Sequence, residues 1–197
     1  MKSEIEVKFL DVDIDDVRAR LAAAGATLEH PMRDMKRALI EESHHVAENS
    51  FIRIRDEGDK TTLTFKRRSL ADEETTIDST KEIETTVGDF ETAVQIFAEA
   101  GWNYTTKQES RRETWHLDGA EVVIDEWPWI NPYVEIEADT EVLVRDVAAK
   151  LKFDWANAVF GSVDVIYARD FPNMSVRGVI DLRDVRFKDP VPKEFLG

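Results

Sequence analysis

The chain has 197 residues, 42% of them hydrophobic, which is enough for one large domain or two small ones around a sizeable core. Forty-one acidic residues against 26 basic give a formal net charge of -15, a surface that repels phosphate backbones and anionic headgroups and so excludes general nucleic-acid or membrane-surface binding. Cysteine is absent, which rules out a disulfide framework and a thiolate metal site.

In chain order, Met1 to Leu10 reads as one strand, because Ile5, Val7 and Phe9 alternate with Glu4, Glu6 and Lys8. No signal-peptide pattern precedes it and no apolar run reaches membrane-spanning length, so a cytoplasmic protein is expected. Asp13 caps a helix to about Ala24, stopped by Gly25. A strand region follows from about Thr27 to Glu42, with Pro31 at a bend or edge, and then a loop through His44 and His45. Phe51 to Arg55 and Thr61 to Arg68 form a hairpin about Asp56-Glu57-Gly58-Asp59. Ala71 to Ser79, with Asp72-Glu73-Glu74, is a polar loop or lid.

The pattern then begins again. Thr80 to Val87 echoes the opening strand, with Glu82 and Glu84 in the places of Glu4 and Glu6. Asp89 caps a second helix, Gly101 stops it, and a long strand runs from Trp102 to Leu117. This is the mark of an internal duplication. Glu121 to Trp127 and Tyr133 to Ala138 are further strands, and Thr140 caps a third helix. Beyond Asp154 a helix is expected over Ala156 to Arg169 and a strand over Val176 to Leu182.

The oily stripes of the helices need cover, and the oily strand faces supply it. About eight antiparallel strands in two similar halves favour closure, which removes exposed edges. The expected fold is therefore α+β: a closed eight-stranded antiparallel β-barrel, or tunnel, with helices packed outside. Its lumen would hold Glu4, Glu6, Glu82, Glu84, Asp125, Glu135 and Glu137 beside Lys8, Arg53, Arg55, Lys66 and Arg68. Strand parity adds Arg112 and turns Arg111 outward. A charged lumen is costly unless its charges pair or bind something. Carboxylates suit a hard divalent cation, and arginine forks and lysines suit phosphate oxygens. The plainer reading of the same pattern is cross-strand salt bridging on a wet sheet.

Glu4-Ile5-Glu6-Val7-Lys8 resembles the ExExK signature of the CYTH superfamily, the triphosphate tunnel metalloenzymes. Arg53-Ile54-Arg55, Lys66, Glu82-Ile83-Glu84, Arg112, Asp125 and Glu135-Ile136-Glu137 follow in family order. The resemblance covers about residues 1 to 170, a tunnel domain, and leaves 171–197 as an extension without a role. It implies that Lys8, Arg53, Arg55, Lys66, Arg68 and Arg112 bind the triphosphate. It implies that Glu4, Glu6, Glu84, Asp125, Glu135 and Glu137 hold Mg2+ or Mn2+, with Glu82 beside them. Catalysis would fall to Glu4, Glu6, Lys8, Arg53, Arg55, Lys66 and Arg112. Where members often carry a lysine two residues before the arginine, this chain has Ser110, and Lys107 is the candidate substitute. The substrate would be inorganic triphosphate, thiamine triphosphate or ATP, without nucleic-acid or membrane partners, and a homodimer is compatible with this.

Three activities fit: a metal-dependent triphosphatase, favoured because hydrolysis needs no base-reading motif; a class IV adenylyl cyclase; or a non-catalytic polyphosphate- or nucleotide-binding module. His44-His45, His30 and His116 read as loop, surface or core residues, and Trp127, Trp129 and Trp155 as packing.

Overall fold

The computed structural model describes residues 2–68, 80–175 and 177–197. The acidic stretch Asp72-Glu73-Glu74 and Val176 lie outside the described residues. The described chain runs β1 (Lys2–Glu4), β2 (Glu6–Phe9), α1 (Ile14–Ala24), β3 (Thr27–Ile40), α2 (Ser43–Ala47), β4 (Ser50–Asp56), β5 (Thr61–Arg68), β6 (Thr80–Val87) and α3 (Phe90–Glu99). It continues through β7 (Thr106–Leu117), β8 (Ala120–Glu126), β9 (Tyr133–Glu137), α4 (Glu141–Lys150), α5 (Val163–Asp170), β10 (Asp184–Val185) and α6 (Lys193–Leu196). None of the described helices is long and apolar enough to cross a membrane.

The strands pair in the order β1-β6-β5-β4-β3-β7-β8-β9-β2, every step antiparallel. The opening segment is therefore two strands, not the one expected from its alternation. They break at Ile5, whose carbonyl accepts from Ala138 N at 3.1 Å. β1 pairs with β6 and β2 with β9, so the two ends of the path are consecutive pieces of one segment. Chain continuity at Ile5, rather than a ladder, brings the sheet round into the eight-membered tunnel.

Why the faces sort as they do follows from the helices. Asp13 accepts from Asp16 N to cap α1, Asp89 from Thr92 N to cap α3, and Thr140 from Leu143 N to cap α4. Gly25 and Gly101 end α1 and α3 with φ of 80° and 92°, a left-handed conformation that a Cβ would strain. The echo between the two halves thus extends to matching caps and stops. Val17 and Leu21 of α1 and Val144 and Val147 of α4 pack on Val7, Phe9, Val122, Ile124, Val134 and Ile136. Phe90, Ala93 and Val94 of α3 pack on Ala38, Ile40, Ile52 and Ile54. Each such aliphatic burial contributes about 1.5–3 kcal/mol. The alternate residues of these strands are left facing inward.

Several local expectations are corrected. His44 and His45 lie in the short helix α2, where the His45 ring accepts from Glu42 N at 3.1 Å. β7 begins at Thr106, because Trp102 N returns to Phe97 O at 2.8 Å and folds the chain back onto α3. The helix expected over Ala156 to Arg169 is interrupted: Trp155–Asn157 is one 3-10 turn, and Val159 then exchanges two 2.9 Å backbone bonds with Lys8. The strand expected at Val176 to Leu182 gives way to a 3-10 turn, Gly178–Asp181. The tail's strand is β10, parallel to β7. Short apolar runs fit either state until a neighbouring edge decides.

Candidate functional site

The inward faces enclose a polar cavity of about 230 Å³. One wall is cationic. In β4, Ile52 and Ile54 point out beneath α3, so Arg53 and Arg55 point in. Arg53 is only 7% exposed. Its Nη2 donates to Thr64 Oγ1 at 3.2 Å and to Glu84 Oε2 at 3.4 Å, while its Nε is buried without a partner among the described residues. Thr64 also donates to Glu84, at 2.7 Å. Lys66 Nζ sits 3.2 Å from Glu82.

Arg55 is different. It lines the cavity and, among the described residues, its side chain makes no hydrogen bond or ion pair. Burial, and after it the neighbouring Arg53, Arg112 and Arg37, pushes its guanidinium down to about 9. An arginine holds its proton strongly, so such a site answers the strain by drawing in an anion.

The opposite wall carries carboxylates in register. Glu6 of β2 pairs with Glu137 of β9, which pairs with Glu121 of β8. Three like charges in a row across adjacent strands are unfavourable unless cations stand among them. Lys8, one step deeper, lies 2.6 Å from Glu6 and 2.9 Å from Glu135. Burial alone would lower the Lys8 ammonium, but Glu135 and Glu6 outweigh it and raise it. Burial would likewise raise the Glu135 carboxyl, yet Lys8 and Arg112 hold it down at about 2. Burial pushes the Glu121 carboxyl up, with Glu135 adding to it against Arg112.

Arg112 reaches in from β7 and grips Asp125 with both arms, Nε at 2.7 Å and Nη2 at 2.6 Å, while Nη2 lies 3.5 Å from Glu135. Arg111 faces outward against Asp34 and the Phe187 ring.

Of the residues expected in the tunnel, Glu6, Lys8, Arg53, Arg55, Lys66, Glu82, Glu84, Arg112, Glu135 and Glu137 line the cavity together. Asp125, 1% exposed, lies behind Arg112 rather than on the cavity surface. Glu4 is paired through its backbone with Thr80; its side chain and that of Arg68 lie outside the described residues. Lys107, expected as a stand-in beside Ser110, is corrected: it points outward, 3.1 Å from Glu91 of α3 and over the Tyr104 ring. Strand β7 does not bulge at that point, so its parity holds.

Sequence reasoning missed Arg37, Glu121, Glu57, Lys60, Trp127 and Tyr133, all of which line the cavity. Arg37 bonds Gln108 at 2.8 Å and stacks on Trp127 at 4.3 Å. Glu121 shares its strand parity with Asp125, so the signal was present. Arg37 needed the register, which sets it opposite Arg55. His116, read as a surface or core residue, sits 2.8 Å from Glu29. Glu29, His116 and Glu121 are the one trio of metal-ligating donors among the described residues gathered within 4.8 Å of one another. The tunnel carboxylates fit a hard divalent cation by donor chemistry, although Lys8 stands between Glu6 and Glu135.

A family model described as the CYTH domain matches residues 2–157. Comparison with curated proteins finds no match. Among solved structures, the PH1012 protein of Pyrococcus horikoshii OT3 is 21% identical with a TM-score of 0.65, covering 79% of this chain and 94% of its own. A candidate adenylate cyclase from Vibrio parahaemolyticus is 9% identical with a TM-score of 0.69, covering 85% and 98%. HpAC1 from Hippeastrum, an adenylyl cyclase candidate described as revealing a dominant triphosphatase activity, is 13% identical with a TM-score of 0.54, covering 85% and 95%. At these identities the likeness is one of fold.

Proposed function

This chain belongs to the CYTH domain family, and on that premise we propose that it is a divalent-metal-dependent triphosphatase acting on an inorganic or organic triphosphate held in the tunnel. The observation that carries the reading is Arg55: a guanidinium among three other arginines whose side chain, among the described residues, makes no hydrogen bond or ion pair and which Glu57 offsets only in part. A polyphosphate supplies the missing charge.

In this reading Arg53, Arg55, Lys66 and Arg112, with Lys8 and Arg37, take the phosphate oxygens; Arg68 extends the set. Glu6, Glu135 and Glu137 hold Mg2+ or Mn2+, with Glu4 and Glu84 completing the carboxylate set. When bound, the metal neutralises phosphate charge and polarises the attacking water. Phosphoryl transfer needs positioning and charge neutralisation rather than a protein nucleophile, and the cationic wall provides both. Asp125 acts as a positioning residue, fixing the Arg112 fork against the cavity. A cyclase would need a face on which to stack a base. The tryptophan that lines the cavity, Trp127, already has its face on Arg37, which supports hydrolysis over cyclisation.

The test is incubation with inorganic triphosphate, thiamine triphosphate and ATP, each with magnesium or manganese, and separation of phosphate from cyclic AMP plus pyrophosphate. Phosphate release is the expected result. Cyclic AMP as the main product would make the chain a cyclase, and tight binding without turnover would make it a binding module.

A further inference from the structure

The tunnel has unequal ends. Towards the Glu57 and Lys60 turn and Glu121 its inward residues are charged. Towards the start of β4 and the turn after β8 the inward residues of β3, β4, β7, β8 and β9 become Leu39, Phe51, Gln108, Trp127 and Tyr133, while β5 and β6 keep Lys66 and Glu82 at the level of Phe51. That apolar end is covered by residues beyond the family match, in the segment 159–197. Ile180 packs on Leu39 and Phe51. Val163, Ile166, Tyr167, Val179, Val185 and Phe195 pack on Trp127 and Tyr133.

Polar anchors fix this cover from within and at its rim. The Gln108 side chain, which faces inward beside Arg37, donates to Val179 O at 3.4 Å. Tyr167 Oη donates to Pro128 O at 2.7 Å, and Trp129 Nε1 to Asp189 O at 2.7 Å. Arg177 pairs with Glu41 at 2.5 Å, and β10 adds to the edge of β7. Ser162 and Val163 thereby come to line the same cavity as Arg53 and Arg55.

We infer that the segment 159–197 closes one end of the tunnel and makes the site a reader of chain ends: of a linear polyphosphate it admits a terminus and never an interior stretch. The inference rests on the phosphate reading above and extends it to substrate class. A through-tunnel lets a long chain thread, so that many protein molecules load along it. A blind pocket accepts only what enters by the charged mouth and stops where the packed side chains of the cover leave no passage. Inorganic triphosphate and the free end of a longer chain meet that condition equally.

The experiment titrates the whole protein, with magnesium present, against inorganic triphosphate and against long-chain polyphosphates of narrow length distribution, by calorimetry and sedimentation. A linear chain has two ends, so loading should saturate at no more than two protein molecules per chain at every length. Chains esterified at both termini should lose most of the affinity, at least tenfold. Loading that grows with length, or capped chains binding as well as uncapped ones, overturns the inference while leaving the triphosphate reading intact. Absence of any triphosphate binding overturns both. Ile180→Asp, which puts a charge in the cover, should load in proportion to chain length while keeping its triphosphate affinity within threefold. Saturation of that variant at two per chain also overturns the inference. Should it not fold, the capped-chain measurement on the unaltered protein decides alone.

Discussion

The two walls of the tunnel are built from buried and half-buried charges and treat them in opposite ways. On the β2-β9-β8 side and its β7 neighbour the charges answer one another: Lys8 lies between Glu6 and Glu135, and Arg112 is locked on Asp125. On the β4 side Arg55 has no such answer among the described residues, and its neighbours are mostly of its own sign. A buried pair is costly to break but does little by itself, whereas a buried charge without a partner is a standing demand for a ligand. The first arrangement holds the tunnel's shape; the second is the one that the proposed function assigns to the triphosphate.

The sharpest way to break this comparison is to remove one partner from the paired wall. Asp125→Ala leaves Arg112 with only the 3.5 Å contact to Glu135, and should destabilise the fold by about 3–5 kcal/mol in chemical denaturation. A loss below about 1 kcal/mol would mean that the pair is not structural.

Arg55→Ala should behave in the reverse manner. Triphosphate affinity should fall by roughly 1.5–3 kcal/mol, the worth of a charge-assisted contact, while the thermal midpoint of the free protein stays level or rises. A falling midpoint with unchanged affinity would place Arg55 with the structural charges.

Glu135 sharpens the contrast through pH. Its folded carboxyl is depressed to about 2 from an ordinary 4.5. The stability it contributes is therefore fully present above pH 4.5 and is lost as pH falls towards 2. The shift corresponds to an upper bound on the order of 3 kcal/mol. Glu135→Gln should flatten the stability curve between pH 5 and 2, and an unaltered acid limb would remove Glu135 from the pair with Lys8.

How much of this could be read from the chain alone differs residue by residue. Asp13, Asp89 and Thr140 were legible as caps because a cap is a local contest, settled by one side chain and the backbone three residues on. Arg53, Arg55 and Arg112 were legible as inward because a strand alternates strictly, and their apolar neighbours need helices. Arg37 was not, since its strand carries register shifts between Leu28 and Arg33 that blur the alternation. Lys107 was misplaced by allowing an irregularity that β7 does not have. The tail was read as a helix and a strand because its apolar residues have no period of their own; they are spaced to fit the inward residues of a tunnel already formed.

By itself, then, the sequence determined which faces are oily and which charged, where the helices start, and that carboxylates and arginines recur in two echoing halves. These are properties of neighbours along the chain, decided by side-chain alternation and capping. Only the tertiary structure decided that the opening segment splits at Ile5 to hold both ends of the sheet. It also decided that Asp125 is taken up by Arg112, that Arg55 has no hydrogen-bond or ion-pair partner for its side chain among the described residues, and that the segment 159–197 covers one end. Each of these depends on which strand lies beside which and at what register, and that is set by closure of the whole sheet, which no local window contains.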